Sequence, residues 1–245
     1  MDIASSLIQN DSRVKIITHE QNKSQLQARL SGVKASSAKS ILFLDADDYL
    51  DLNAAKTLLA LPFCDWLCFG CCEVSEDASQ KNIRPNRCIM SETELKRRLK
   101  RLSATSDYLF FINGILFNKK PLLRALESMQ GWYFNLGEDT LLSLFALYEC
   151  QSYSLYDLEL YFYRYVKGSM SHSDKNDNEK IIKIIKNIKS KDEKMQLLKH
   201  YWLWVLGLSI MHERLGRSSI AAKLFRFFRK AKREFLKIKY KNLSF

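Results

Sequence analysis

Apolar positions in the first 165 residues fall into short runs alternating with helical stripes, and beyond residue 180 into helical stripes alone. Arg13-Val14-Lys15-Ile16-Ile17-Thr18 alternates and is rich in β-branched residues, which predicts a strand. From Gln25 to Ser36, small or apolar residues recur at Leu26, Ala28, Leu30, Val33 and Ala35, the spacing of a helix lying on a sheet. Ile41-Leu42-Phe43-Leu44 is a short run, apolar throughout and cut off by acids, as in a buried strand of a parallel sheet. A helix over Leu52 to Leu61 closes at Pro62, and Asp65 to Val74 reads as a further strand. With Asp2 to Gln9 read as the end of a helix, the order as far as Pro62 is αβαβα, which predicts a parallel sheet with crossover helices.

Further along, Ser91 with Glu94 three residues later forms a capping box before a helix ending in basic residues. Leu109 to Phe117 is apolar but interrupted by Asn113-Gly114. Gly137-Glu138-Asp139-Thr140 opens a helix, and the aromatic alternation from Tyr153 to Tyr165 predicts one or two strands. Gly168 to His172 is a loop. Ile181, Ile182, Ile184, Ile185 and Ile188 make a helical stripe, and Tyr201 to Met211 is an apolar run too short to span a bilayer. Leu224, Phe227, Phe228, Ala231, Phe235 and Ile238 form a last stripe among lysines and arginines. Such a helix either lies on an anionic membrane or packs its stripe on the domain.

Charge sharpens this division. Residues 175–245 hold 19 Lys and Arg against 6 Asp and Glu, whereas the whole chain is +12, so the body before residue 175 is close to neutral. A near-neutral domain over 1–173 followed by a basic helical extension over 174–245 is expected, the extension facing an anionic partner. The basic tail's aromatics lie on a helical stripe, unlike the exposed stacking platform of a nucleic-acid binder, so no nucleic acid is expected. The N-terminus has no signal-peptide pattern, and six cysteines in a chain of this length suit reduced thiols in the cytosol. Cys64, Cys68 and Cys71 have the spacing C-x3-C-x2-C, similar to the cluster ligands of radical S-adenosylmethionine enzymes. Trp66, Leu67 and Phe69 between them favour cysteines as small core residues of a strand.

The candidate chemistry is concentrated at Asp45-Ala46-Asp47-Asp48. Ligands of open α/β sheets sit beyond the carboxyl ends of the strands, and clustered carboxylates there repel unless a cation joins them. A hard divalent ion suits that cluster. The bland alternative is a solvated acidic turn that caps the next helix.

Taken in order, the segments resemble glycosyltransferase family 2, with its GT-A fold. The resemblance is carried by Asn22, Ala28-Arg29, Asp45-Ala46-Asp47, Glu138-Asp139, Tyr161-Phe162-Tyr163-Arg164 and Ser169-Met170-Ser171-His172, and covers residues 1–173. It implies an α/β, Rossmann-like, mostly parallel sheet with flanking helices, followed here by the C-terminal helical extension. The family usually has Gly where Ser24 stands, Asn where Leu30 stands, and Lys where Ile115 stands. It also begins with two βα units bearing nucleoside contacts, and the alignment expects this chain to start just after them, which would weaken transfer by the chain alone.

The resemblance implies a metal-dependent inverting transfer from a nucleotide-sugar donor, UDP-linked, to a hydroxyl of a cell-envelope or lipid-linked saccharide. Such a transfer needs a base for the acceptor proton and a cation for the departing diphosphate. Asp139 is the expected base, with Glu138 beside it; a helix N-terminus favours its ionised form. Asp47, with Asp45 and His172, would hold Mn²⁺ or Mg²⁺, and Asn22, Arg29, Asp45 and Arg164 would contact the donor. The expected location is the cytoplasm, peripheral on the inner membrane face. Two other readings compete: a non-catalytic truncated transferase serving as a binding module, and a haloacid-dehalogenase-type phosphatase with Asp45 as nucleophile. Tyr49 and the strand preceding the motif both depart from the phosphatase pattern.

Overall fold

The computed structural model describes residues 11–69, 71–74, 112–134, 137–156, 158–164 and 178–192, and several residues between 195 and 206. The elements are α1 (Ser24–Ala35), β1 (Ser40–Leu42), β2 (Tyr49–Leu50), α2 (Ala54–Leu59), β3 (Trp66–Cys68), β4 (Cys72–Val74), β5 (Ile115–Asn118), α3 (Lys119–Ser128), α4 (Glu138–Glu149), β6 (Tyr153–Leu155), β7 (Tyr161–Arg164) and α5 (Asn178–Asn187). Among the described residues no helix is long and apolar enough to cross a membrane.

The larger sheet has the order β1-β5-β3-β6. β3 and β6 run parallel, while β5 lies antiparallel between β1 and β3, with Leu116 opposite both Leu42 and Leu67. The α/β architecture with flanking helices is as expected, but β1 and β3 are not direct neighbours. β5 reaches that place from far along the chain, a pairing that local pattern does not encode. A smaller sheet, β2-β7-β4, uses β7 to join the chain after the acids to the chain after β3.

Alternation along the large sheet divides two cores. Trp66, Cys68, Ile115 and Phe117 join the main cluster with α1, α3 and α4. Leu67 faces the second cluster with Ala54, Leu58, Phe69 and Tyr161, and Leu116 packs against it. Successive strand residues point to opposite faces, so both faces are covered. Trp66 and Phe117 are buried and meet edge to face at 5.0 Å. Each such aromatic contributes about 1.5–3 kcal/mol by burial. Leu26, Leu30 and Val33 are the buried stripe of α1, as their spacing predicts.

Several local expectations change. Residues 13–18 belong to no strand: Arg13 lies in a turn closed by the Val14 amide on the Asp11 carbonyl oxygen, and Val14, Ile16 and Ile17 are exposed. β-propensity needs a partner edge to become a ladder, and none lies beside them among the described residues. The run 41–44 yields only Ser40–Leu42, half-buried, with Leu44 exposed, because the chain turns into the acid loop before Asp45. The strand over 65–74 is two strands in different sheets, with Cys68 paired to both Ile115 and Leu155 inside the ladder. Of the apolar run 109–117, the described residues from Ile112 onward form a strand only after the Asn113-Gly114 turn, where Gly114 takes φ +74°. The helix at 91–101, the loop 168–172 and the stripe at 224–238 lie outside the described residues.

The first part of the basic extension packs on the body. Ile181, Ile185, Leu198 and Trp202 share the main core with α4. The Trp202 indole donates to the Thr140 carbonyl oxygen at 2.7 Å, in the first turn of α4. Gly137, which caps α4 at φ +89°, lies so close to Ile181 that a Cβ there would meet its Cδ1 at 2.6 Å. Both the left-handed backbone and the close approach therefore call for glycine.

Candidate functional site

Helix α1, the loop after β1 and the start of α4 converge on one guanidinium. Arg29 sits beside the apolar stripe of α1, and its side chain is only 9% exposed. Its Nη1 donates to Glu138 Oε1 and to Asp139 Oδ1, both at 2.7 Å, and Nη2 reaches Asp45 Oδ1 at 3.4 Å. The Phe43 ring covers it, 5.7 Å from the guanidinium carbon. Burial works against the charge of Arg29, but Asp139, Glu138 and Asp45 outweigh it and hold the group protonated above its ordinary range.

Asp139 responds in the opposite sense. Burial pushes its carboxyl up to about 7, opposed by Arg29 and assisted by the neighbouring Glu138 and by Asp45. The helix dipole was expected to keep this group ionised. Desolvation beside a second carboxylate outweighs that effect, so Asp139 holds a proton up to near neutrality. A carboxylate poised there can accept a proton at neutral pH and release it again.

The three strand-end acids have separate surroundings. Asp45 accepts from Asn113 Nδ2 at 3.3 Å, and its amide donates to the Tyr161 hydroxyl at 3.3 Å. Asp48 is buried, accepting Tyr161 Oη–H at 2.6 Å and the Arg164 amide at 2.9 Å. Burial raises its carboxyl, and these two donors pull it back. The Tyr161 hydroxyl is held well above its ordinary range, first by burial and then by its bond to Asp48. The Asp47 carbonyl accepts from Arg164 Nε. The Asp47 carboxylate is half-exposed and has no hydrogen-bond partner among the described residues.

The structure thus brings Arg29, Asp45, Glu138 and Asp139 into one cluster, with Asp47 and Arg164 on the adjoining loop and strand. Every described polar contact of the Arg29 side chain is to a carboxylate, whereas donor contact was expected. Asn22 lies apart from the cluster; its Oδ1 accepts the Ser24 amide at 2.8 Å in the turn that opens α1. His172 lies outside the described residues. No group of three His, Cys, Asp or Glu suited to a metal is found among the described residues.

Sequence reasoning missed Tyr161, Asp48 and Asn113 as supports. Tyr161 enters the sequence reading only as an aromatic strand position and as part of the motif Tyr161-Phe162-Tyr163-Arg164, because its hydroxyl partner is 113 residues away. Asn113 reads as a break in an apolar run, yet it orients Asp45, and its buried Oδ1 has no partner among the described residues.

Known proteins share this arrangement of the chain. Residues 1–122 match the family model described as glycosyl transferase family 2. The uncharacterized glycosyltransferase EpsJ of Bacillus subtilis (strain 168) is 24% identical over 176 residues, covering 69% of this chain and 50% of that protein. The chain therefore spans about half the length of this curated relative. Among solved structures, S. aureus TarS 1–349 in complex with UDP-GlcNAc superimposes with a TM-score of 0.60 at 15% identity, covering 97% of this chain and 78% of that one. The TarS complex with UDP gives 0.55 at 16% identity, covering 88% and 60%. These structural likenesses establish the GT-A fold, and with the family match over its N-terminal half the chain belongs to glycosyltransferase family 2.

Proposed function

We propose that this protein transfers a sugar from a nucleotide-sugar donor, UDP-linked, to a hydroxyl of a cell-envelope or lipid-linked saccharide, with inversion at the anomeric carbon. The observation that carries the reading is the Arg29 clasp. It holds the helix-start pair Glu138-Asp139 against the strand-end Asp45, so that a proton acceptor and a donor-side carboxylate face one space. TarS, whose structures contain UDP-GlcNAc and UDP, supports a uridine donor for this chain by fold alone.

The chain's residues divide the work as follows. Ionised Asp139 takes the proton of the acceptor hydroxyl while that oxygen bonds to the anomeric carbon. The bond from this carbon to the diphosphate oxygen breaks, and its electron pair leaves with the diphosphate. A single displacement with one base inverts the centre. Glu138 stays paired to Arg29 and fixes the guanidinium, which in turn orients Asp139. Asp48, held by Tyr161 and the Arg164 amide, sets the loop that presents Asp45 and Asp47.

The residues fit a hard cation in a limited way. Asp47 offers an open carboxylate, Asp45 offers oxygens in long hydrogen bonds, and Asp48 is fully engaged. Asp47 and Asp45 would hold Mn²⁺ or Mg²⁺, with His172 as the third protein ligand, and the ion would stabilise the departing diphosphate. The division into 1–173 and a basic extension, and peripheral attachment of 174–245 to an anionic cytoplasmic membrane face, belong to the same proposal. A phosphatase reading fails on the family match and on Asp45, whose oxygens are both engaged by Arg29 and Asn113 instead of being free to attack.

The test is calorimetry with UDP and Mn²⁺, followed by a donor-transfer assay. Wild type is expected to bind Mn²⁺ and, through the diphosphate half of the site, UDP, and Asp47→Ala to lose the metal-dependent part. Equal metal affinity in the two proteins would remove Asp47 from the site.

A further inference from the structure

A groove outside the acid cluster runs between the segment before α4 and helix α5. It encloses about 560 Å³ and is lined by Trp132, Tyr133, Phe134, Phe145, Lys180 and Ile184. Trp132 stands edge-on to Phe134 at 6.2 Å and to Phe145 at 5.9 Å, which fixes its ring plane. Tyr133 is 49% exposed, while Phe134 is buried. Lys180 is latched across one wall, its Nζ donating to the Tyr133 carbonyl oxygen at 2.5 Å and standing 4.6 Å from the Phe134 ring centre.

The groove continues past Asn187 and Ile188 into a second trough of about 590 Å³, lined by Lys186, Lys189, Lys191 and Lys199. Lys199 donates to the Lys186 and Ile188 carbonyl oxygens and so closes the end of α5. The ammonium groups of Lys186, Lys189 and Lys191 face no paired carboxylate among the described residues. Of the acids in this stretch, Asp192 accepts the Met195 amide at 2.9 Å as a helix cap, and Glu193 lies outside the described residues. A surface with rigid aromatic rings at one end and several lysine ammonium groups without an ion pair among the described residues at the other selects a ligand with both characters. Aromatic faces suit the C–H face of a sugar ring, and lysines suit phosphate as point charges.

We infer that this groove binds a saccharide chain that carries phosphate. The location agrees with an acceptor subsite, a role that rests on the transferase reading: Phe134 lies three residues before Gly137, and Ile181, next to Lys180, packs on Gly137 at the start of the helix bearing Asp139. Charge complementarity separates this occupant from the chain's own basic stripe at 224–238, which the lysines would repel.

The experiment measures binding of pentamannose 6-phosphate and of unphosphorylated mannopentaose to wild type, Tyr133→Ala and the Lys189→Ala/Lys191→Ala pair. UDP binding is followed in each protein. The phosphorylated sugar should bind wild type at least about tenfold more tightly than the neutral one, a factor worth 1.4 kcal/mol. Each variant should weaken it by a similar factor without changing UDP affinity, and added salt should erase the lysine contribution. Failure of UDP to bind while the sugar pattern holds would overturn the donor reading and leave the groove assigned. Equal affinity for both sugars, or variants that bind like wild type, overturns the groove assignment. So does loss of phosphatidylglycerol-vesicle binding or of self-association in these variants with no sugar binding in wild type.

Discussion

The acids after β1 and the acids opening α4 are chemically alike and physically unlike. Asp45, Asp47 and Asp48 lie on a loop whose charges are separated: one is bound by neutral donors, one is shared with Arg29 and Asn113, and one is open. Glu138 and Asp139 are adjacent, the first buried and the second partly buried, and tied to a single guanidinium. The first region is arranged to receive charge from outside, and the second to hold a proton. Burial and partner decide the role of a carboxylate here, since residue type does not differ.

The largest expected effect comes from removing the guanidinium. Arg29→Met leaves Glu138, Asp139 and Asp45 without their counter-ion, and breaking such a buried set costs about 3–5 kcal/mol. Chemical denaturation at pH 8 should show this loss, and it should shrink at pH 5, where Asp139 is protonated in the folded protein. A loss independent of pH would mean that Arg29 matters by packing alone.

Next in size is the base. Asp139→Asn should lower turnover by at least about a hundredfold with little change in donor affinity. In wild type the rate should climb as pH passes about 7, because the ionised form does the work. The stability term has the opposite sign. The folded protein holds a proton that the unfolded chain releases near 3.8, so this group's contribution falls as pH rises from about 4 to 7. Asp139→Asn should therefore be more stable than wild type at pH 8. A mutant that is active, or no more stable there, would break the contrast between the two regions.

Smaller effects sharpen it. Tyr161→Phe removes one of the two donors that fix Asp48, and leaving a buried acceptor short costs about 1–3 kcal/mol. Thermal unfolding should fall accordingly, and metal affinity should weaken through the displaced loop. Ser24→Gly should do the reverse at the entry to α1. Ser24 takes φ +74°, a left-handed conformation, and its hydroxyl is buried without a partner among the described residues. Glycine relieves both, so a gain of about 1 kcal/mol is expected. An unchanged melting temperature would show that the turn around Asn22 relaxes instead.

Some of this was present in the sequence by itself. The stripe Leu26, Leu30 and Val33 specified α1, because helical periodicity is local and strong. The drop from Ile41–Leu44 into three acids marked the site, and Glu138-Asp139 marked a helix start. Tertiary structure alone decided the rest. β5 inserts antiparallel between β1 and β3, and β7 carries Tyr161 to Asp48 across 113 residues. Arg29 meets Glu138 and Asp139 over 109 and 110 residues, a clasp among acids that its place in α1 does not foretell. Proton affinity depends on desolvation and on the charges gathered within a few ångströms, and a local pattern specifies neither until the chain has folded.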